Sequence, residues 1–415
     1  MDLMLGRSSL HGTVPAIASK SALHRLLICA ALSSSTTYID YYGFSSDIFS
    51  TIQCISEIGC VISPTATGVR IQPPENFCRI PHLDCLECGS TLRFMLPVTA
   101  ALFDDFSITG QGRLIARPLD DLAHSLSEHG CTFMAQTLPF RVCGRLRPGT
   151  YKLPGNISSQ YISGLMFALP LLAGDSEIVL TTPLSSAAYI EMTLEALRLF
   201  GIEIIQTDNG WHVKGAQKYR SPGRVNAEGD WSSAACWLCA GAVSGPITIT
   251  GLNANSAQAD TAIIETLRSL GAHVTVGENA VTVSKGDLLP LSVDVDQFPD
   301  LMPVIAMTLS MCHGTSLIYN AARLRLKESD RIHAMAKTLS ALGITAIEGQ
   351  DFLRLIGGRL SDGIVDGAND HRIIMAAALA SLQTPVTITG TEAVDKSYPG
   401  FFNDFTVLGG KIAMS

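Results

Sequence analysis

The sequence predicts an α/β protein assembled from six copies of one unit, and three observations predict it. A polar residue recurs with a period of 70, at Lys20, Ser90, Gln160, Asp230, Asp300 and Asp370, and each opens an apolar run. A short β-branched segment follows every run. An amphipathic stretch then ends at a glycine in every copy, namely Gly59, Gly130, Gly201, Gly271, Gly343 and Gly409.

Each element has a local reason. The runs KSALHRLLICAAL, STLRFMLPVTAAL, QYISGLMFALPLL, DWSSAACWLCAGA, DLMPVIAMTLSM and DHRIIMAAALASL are apolar nearly all round, the pattern of a helix with no wet face. The segments TTYID, FSITG, EIVLT, PITIT, TSLIY and PVTIT predict strands. The stretches from DIFSTIQCISEIG through YIEMTLEALRLFG to SDRIHAMAKTLSALG predict a second, amphipathic helix, with glycine in the position that terminates it. Five copies continue into a hairpin-like pair such as AHVTVGENAVTVS. The sixth stops at KIAMS, while DLMLGRSSLHGTV precedes the first buried run, so the two chain ends are expected to complete one unit. At 415 residues the chain suits two lobes of three units: 14–227 for the first three, and 1–13 with 228–415 for the others.

Composition narrows the function. Apolar residues make up 47% and charged residues 16%, against roughly 25% charged in ordinary soluble domains, which agrees with fully buried helices. No apolar stretch reaches the ~18 residues of a membrane span, and the N-terminus has no signal-like apolar region. A soluble, cytoplasmic protein is expected, with no membrane partner. The net charge of −8 argues against nucleic acid, which is bound by an excess of Lys and Arg. Eleven cysteines without secretory context predict reduced thiols. The spacings Cys85-x2-Cys88 and Cys236-x2-Cys239 suggest zinc, but the second pair sits in the apolar run AACWLCAGA, where cysteine acts as a small hydrophobe; no metal site is expected.

The polar residues of each unit gather where a buried helix begins, and exposed N–H groups there favour anions. They are Ser19, Lys20, Ser21 and Arg25; Gly89, Ser90 and Arg93; Ser158, Ser159 and Gln160; Asp230; Asp300; and Asp370, His371 and Arg372. Capping accounts for the hydroxyls and for several aspartates, Asp230 among them. It does not account for Lys20, Arg25, Arg93 or Arg372, because a cation at a helix N-terminus opposes the dipole. A ligand carrying phosphate or carboxylate is implied. Further cations, Arg117, Lys327, Arg331 and Lys396, open the second helices; for Lys327 and Arg331 alone a solvated i,i+4 face explains as much.

Ten segments in order, in register with the repeat, resemble the 5-enolpyruvylshikimate-3-phosphate synthase family: SKSALHR (19–25), CGSTLR (88–93), ARPLDDL (116–122), SSQYISGLM (158–166), SSAAYIEMT (185–193), EGDWSSA (228–234), FPD (298–300), LKESDRI (326–332), NDHR (369–372) and DKSYPGFF (395–402). The resemblance implies a two-lobed inside-out α/β barrel of six βαβαββ repeats that closes on its substrates. It implies that the 5-hydroxyl of shikimate 3-phosphate attacks C2 of phosphoenolpyruvate, C3 is protonated and phosphate leaves, without metal or organic cofactor. Shikimate 3-phosphate would be held by Lys20, Ser21, Arg25, Ser158, Ser159, Gln160, Ser186, Tyr189, Asp300, Arg323 and Lys327. Phosphoenolpyruvate would lie against Lys20, Gly89 and Gln160, gripped by Arg117, Arg331, Arg372 and Lys396, whose charges suit its anions. Asp300 would be the base, Glu328 and Lys20 the proton donors, and His371 an orienting group, although a helix start accounts for His371 equally well. A monomer is expected.

Several positions depart from the family pattern. Arg323 replaces Asn or Glu, Glu87 stands for Asn, Phe94 for Pro, and Ala16-Ile17-Ala18 for a Pro-Gly pair. The alternatives are a UDP-N-acetylglucosamine enolpyruvyl transferase and a non-catalytic metabolite-binding scaffold. The first would carry Lys-Asn near its start and a Cys five residues before Arg-Pro. This sequence has Lys20-Ser21 and Gly112 there.

Overall fold

The computed structural model describes residues 1–76 and 80–413. Twelve helices of seven residues or more are found among them: α1 (Lys20–Leu32), α2 (Ser46–Glu57), α3 (Gly89–Leu102), α4 (Asp120–Glu128), α5 (Ser159–Ala168), α6 (Ala187–Leu199), α7 (Trp231–Val243), α8 (Ile263–Leu270), α9 (Met302–Ser310), α10 (Arg331–Ala341), α11 (His371–Ala378) and α12 (Phe401–Val407). The odd-numbered helices are the six apolar runs. In α7 every residue but Val243 is buried, and α9 and α11 are buried throughout. The even-numbered helices bury one stripe, such as Ile48, Thr51, Cys54 and Ile55 of α2.

The strands form six four-stranded sheets of one topology. In the second repeat His82–Asp84 pairs in parallel with Asp105–Thr109, which pairs antiparallel with Phe140–Cys143, and Thr132–Phe133 closes the edge. Each sheet turns alternate residues to a core, as in the buried Phe106 and Ile108 between less buried neighbours. The six predicted terminal glycines all have positive φ, between 75° at Gly201 and 107° at Gly59, a region a side chain disfavours.

The chain forms two compact units. An N-terminal unit comprises Lys20–Tyr42 and Ser46–Ala227; a C-terminal unit comprises Met1–Ser19, Gly43–Ser45 and Glu228–Ser415. Each has its own apolar core, centred on α1, α3 and α5 in the former and on α7, α9 and α11 in the latter. Helices therefore lie inside and sheets outside in each.

Strand exchange sets the boundaries. Leu3–Gly6 lies between Val386–Thr389 and Lys411–Ala413, completing the sixth sheet from both chain ends; the last two residues of KIAMS lie outside the described residues. Gly12–Pro15 pairs in parallel with Ile247–Thr250 and is thus the first strand of the fourth repeat. Arg224–Asn226 correspondingly pairs with Thr37–Asp40 of the first. Residues 14–19, expected with 20–227, are instead held in the C-terminal unit by this pairing and by the bonds from Ser19 N to Glu228 O and from Asp230 N to Ile17 O, both 2.7 Å.

Candidate active site

One sequence interval recurs at the polar clusters of each unit. From the start of an inner helix the chain runs down that helix, up a strand and back, and the next polar group arrives 27 residues later. Lys20 Nζ donates to Asp47 Oδ2 at 2.7 Å, Lys327 Nζ to Asp300 Oδ1 at 3.3 Å, and Lys396 Nζ to the Asn369 carbonyl at 2.8 Å, each across 27 residues. The polarity is reversed between the first two pairs, so the interval is structural and the charge is chosen separately in each repeat.

In the N-terminal unit the starts of α1, α3 and α5 are stitched together. Gly89 opens α3 against the Arg117 guanidinium: a Cβ there would lie 2.6 Å from Nη1, so only glycine permits this approach. Next to it, Ser90 Oγ accepts from Gln160 Nε2 at 2.8 Å, and Gln160 Oε1 accepts from Arg93 Nη1 at 2.8 Å. Gly164 lets α5 press on α3, since a Cβ would meet the Arg93 carbonyl at 2.2 Å. Ser158 caps α5 through Gln160 N, and Ser159 begins the helix.

A second cluster in this unit surrounds Arg25, which is buried. Its Nε donates to Thr193 Oγ1 at 2.8 Å, Nη1 to the Ser21 carbonyl at 2.6 Å and Nη2 to the Tyr189 carbonyl at 2.9 Å. Burial lowers this guanidinium to about 10, a sign that its charge is held among neutral partners. Ser186 precedes α6 in the left-handed region, φ 56° and ψ 47°, an uncommon conformation for serine.

In the C-terminal unit Arg331 is the hub. Its side chain is 1% exposed and donates to three carboxylates: Nη1 to Asp300 at 2.8 Å, Nη2 to Glu328 at 3.0 Å, and Nε to Asp370 at 2.9 Å. Asp370 also caps α11 through Arg372 N and accepts from Ser329 Oγ. Burial by itself would raise Asp300, but Lys327, Arg331 and Arg372 together hold it well below the usual carboxylate range. Buried Asp260 is the reverse case: burial first, then the Asp300 charge, push it up to about 7, against the bond from Ser232 Oγ at 2.6 Å.

Arg372 is 3% exposed, and its Nε and Nη1 are buried without a hydrogen-bond partner among the described residues. Two orphaned donors on one planar cation are expensive unless an anion meets them. The constellation thus offers anion-binding cations, an ionised carboxylate and a second carboxylate that protonates near neutrality.

The EPSP synthase (3-phosphoshikimate 1-carboxyvinyltransferase) family model matches residues 5–405. The chain belongs to that family. It is 39% identical over 412 residues to the 3-phosphoshikimate 1-carboxyvinyltransferase of Clostridium kluyveri, covering 98% of this chain and 96% of that protein. To the Clostridium acetobutylicum protein of the same name it is 40% identical over 414 residues, covering 97% and 96%. The EPSP synthase structure from Acinetobacter baumannii superposes with a TM-score of 0.82 at 24% identity, covering all of both chains. The enolpyruvyl transferase NikO from Streptomyces tendae gives 0.81 at 18%, covering 100% of this chain and 99% of that one. These two likenesses carry the fold alone, the six-repeat α/β architecture that the EPSP synthase resemblance implied. The family is an enzyme family, a transferase of aromatic biosynthesis.

Seen as an EPSP synthase, the chain gathers most of its expected site residues into these networks. Arg323 donates to the Asp296 carbonyl and carboxylate. Lys396 stays beside the start of α11 through Asn369. His371 is buried, its Nδ1 3.9 Å from Asp370 Oδ1. Of the departures from the family pattern, Phe94 packs in the core against Phe167, and Glu87 lies against Gly112. Sequence reasoning missed Asp47, Asp260 and the role of Asp370 as the Arg331 counter-ion. The 27-residue interval points to Asp47 from Lys20; nothing local distinguishes Asp260 from an ordinary helix-start aspartate.

Proposed function

We propose that the chain transfers the enolpyruvyl group of phosphoenolpyruvate to the 5-hydroxyl of shikimate 3-phosphate, releasing phosphate by addition and elimination. The observation that carries this beyond family membership is Arg372, a buried guanidinium with unmet donors in the same electrostatic network as Asp300. A bound anion such as phosphoenolpyruvate offsets that cost, and turnover separates the enzyme from a scaffold that merely binds it.

In this reading Ser21, Arg25, Ser158, Ser159, Ser186, Tyr189 and Lys327 hold shikimate 3-phosphate, and Gln160 serves both substrates. Arg117, Arg331, Arg372 and Lys396 grip phosphoenolpyruvate, with Gly89 leaving the backbone of α3 open to it. Asp300 accepts the 5-hydroxyl proton. While Lys327 and Arg331 are bonded to it Asp300 is a weak base, because their charges stabilise its ionised form. Substrate anions that draw those cations away raise its basicity at the moment it is needed. Lys20 and Glu328 deliver a proton to C3 in the addition, a proton leaves the resulting methyl group as phosphate departs so that the methylene is restored, and His371 orients its neighbours. Arg323 keeps a place beside shikimate 3-phosphate in this reading only if it leaves Asp296. The chain works as a monomer in the cytoplasm, the first part of which light scattering tests.

The experiment is phosphate release by the purified chain with both substrates, each omitted in turn. Release that needs both supports the reading; release with UDP-N-acetylglucosamine in place of shikimate 3-phosphate refutes it. Lys20→Met should abolish turnover while the fold persists.

A further inference from the structure

Next to Lys20, three side chains that the proposed reaction does not use converge. His24, Asp47 and Cys88 each present one ligand atom, all within 4.8 Å of one another, and no other such group of three His, Cys, Asp or Glu occurs among the described residues. His24 Nε2 faces Cys88 Sγ at 3.8 Å. Its other nitrogen, Nδ1, is fixed by Thr51 Oγ1 at 2.7 Å, and Thr51 in turn bonds Thr91 Oγ1 at 2.7 Å. Such an outer partner is what sets the tautomer and aim of a metal-binding imidazole. The charge of Lys20 Nζ, 2.7 Å from Asp47 Oδ2, occupies the place beside the carboxylate that a cation would take.

We propose that His24 Nε2, Cys88 Sγ and Asp47 form a site for a thiophilic divalent cation, zinc above all, which competes with Lys20 for Asp47 and so inhibits the enzyme. The donor set of one imidazole, one thiolate and one carboxylate suits zinc, and a fourth position falls to water. Zinc–nitrogen bonds of ~2.0–2.1 Å and zinc–sulfur bonds of ~2.3 Å at tetrahedral angles place N and S about 3.5 Å apart, so the present 3.8 Å needs little movement. His24 and Cys88 are buried, whereas the side chains of Lys20 and Asp47 are 17% and 13% exposed, which makes them the way in. On binding, the Cys88 S–H bond breaks and its proton passes to solvent. A sulfur–metal bond forms, and the Lys20–Asp47 ion pair gives way to a carboxylate–metal bond. No oxidation is involved.

The other cysteine motifs carry no such site. Cys236 and Cys239 lie wholly inside the core, and Cys54 donates to the Asp84 carbonyl beside Cys85.

The inhibitory half rests on the proposed role of Lys20; the binding half does not. The test titrates the full chain with zinc, following bound metal by equilibrium dialysis and turnover in parallel, and with cadmium, whose thiolate complex absorbs in the ultraviolet. One metal per chain is expected, a thiolate band with cadmium, and a loss of turnover of at least about tenfold at saturation, reversed by a chelator. Cys88→Ser, which keeps the cap on Thr91 N, and His24→Asn should bind zinc ~100-fold more weakly and keep their turnover in its presence. Unchanged zinc binding in Cys88→Ser, or no thiolate band in the parent, overturns the site. A Cys88-dependent band with undiminished turnover overturns the competition with Lys20. Absence of turnover before any metal is added refutes the proposed reaction instead, and the cadmium band still reads the site.

Discussion

Replacing Arg331 by methionine removes a guanidinium that holds three carboxylates and leaves a side chain of similar reach. The consequences differ among the three. Glu328 is 21% exposed and finds water, and Asp300 retains Lys327 at 3.3 Å. Asp370, 0% exposed, keeps the Ser329 hydroxyl, the Arg372 N–H and the His371 ring 3.9 Å away but loses its guanidinium, so its charge is largely uncompensated. Breaking a buried pair from one side costs about 3–5 kcal/mol, which for a unit of this size lowers its unfolding temperature by roughly 6–20 °C. Calorimetry combined with tryptophan emission reads this, because Trp231 and Trp237 both lie in the affected unit. Adding Asp370→Asn to Arg331→Met should restore part of the loss, since the stranded charge is then gone. The pH dependence has a definite sign. Burial alone would raise Asp370, but Arg331 and His371 outweigh it and hold its pKa below the usual carboxylate value. Its contribution is therefore present above the unfolded carboxylate pKa of ~3.9 and fades as pH falls through the lower folded value, so parent and variant converge in acid. A loss under about 1 kcal/mol at neutral pH would refute the idea that Arg331 is structural as well as ligand-binding.

Gly89→Ala should drive the Arg117 guanidinium back by several tenths of an ångström, because the new Cβ would sit 2.6 Å from Nη1; the KM for phosphoenolpyruvate should rise ~10-fold or more with little change in unfolding temperature. Asp260→Asn should become progressively more stable relative to the parent as pH rises from ~4 to about 7: a raised carboxyl favours folding only below that window, and the asparagine removes the penalty above it. Asp300→Ala should slow the chemical step in single-turnover measurements far more than it weakens shikimate 3-phosphate binding; equal losses would exclude it as the base. Arg323→Met, at a partly exposed pair with Asp296, should shift stability by less than about 1 kcal/mol.

Much of the fold was legible because its signals are local. A helix apolar on all faces, a β-branched strand and a terminal glycine each announce themselves within a dozen residues, and sixfold recurrence makes the pattern unmistakable. The boundary between units was less so. Gly12–Pro15 and Arg224–Asn226 read as ordinary strands, and only pairing partners more than 180 residues away decide which sheet each completes. The surroundings of Cys88 were hidden for a related reason: it meets His24 and Asp47 across the packed starts of α1, α2 and α3, which its spacing from Cys85 does not reveal.

The sequence by itself determined the repeat, the inner and outer helices and the chemical types at each helix start, because periodicity and composition act through short-range backbone preference and solvent exclusion. Tertiary structure alone decided which charges meet. Lys20 and Arg331 are both cations near helix starts, yet Lys20 meets Asp47 at a partly exposed position while Arg331 is buried among three carboxylates. That difference, with the opposite displacement of Asp260 and Asp300, arises from burial and from charges brought close by the fold, quantities that fall steeply with distance and leave no mark on sequence spacing.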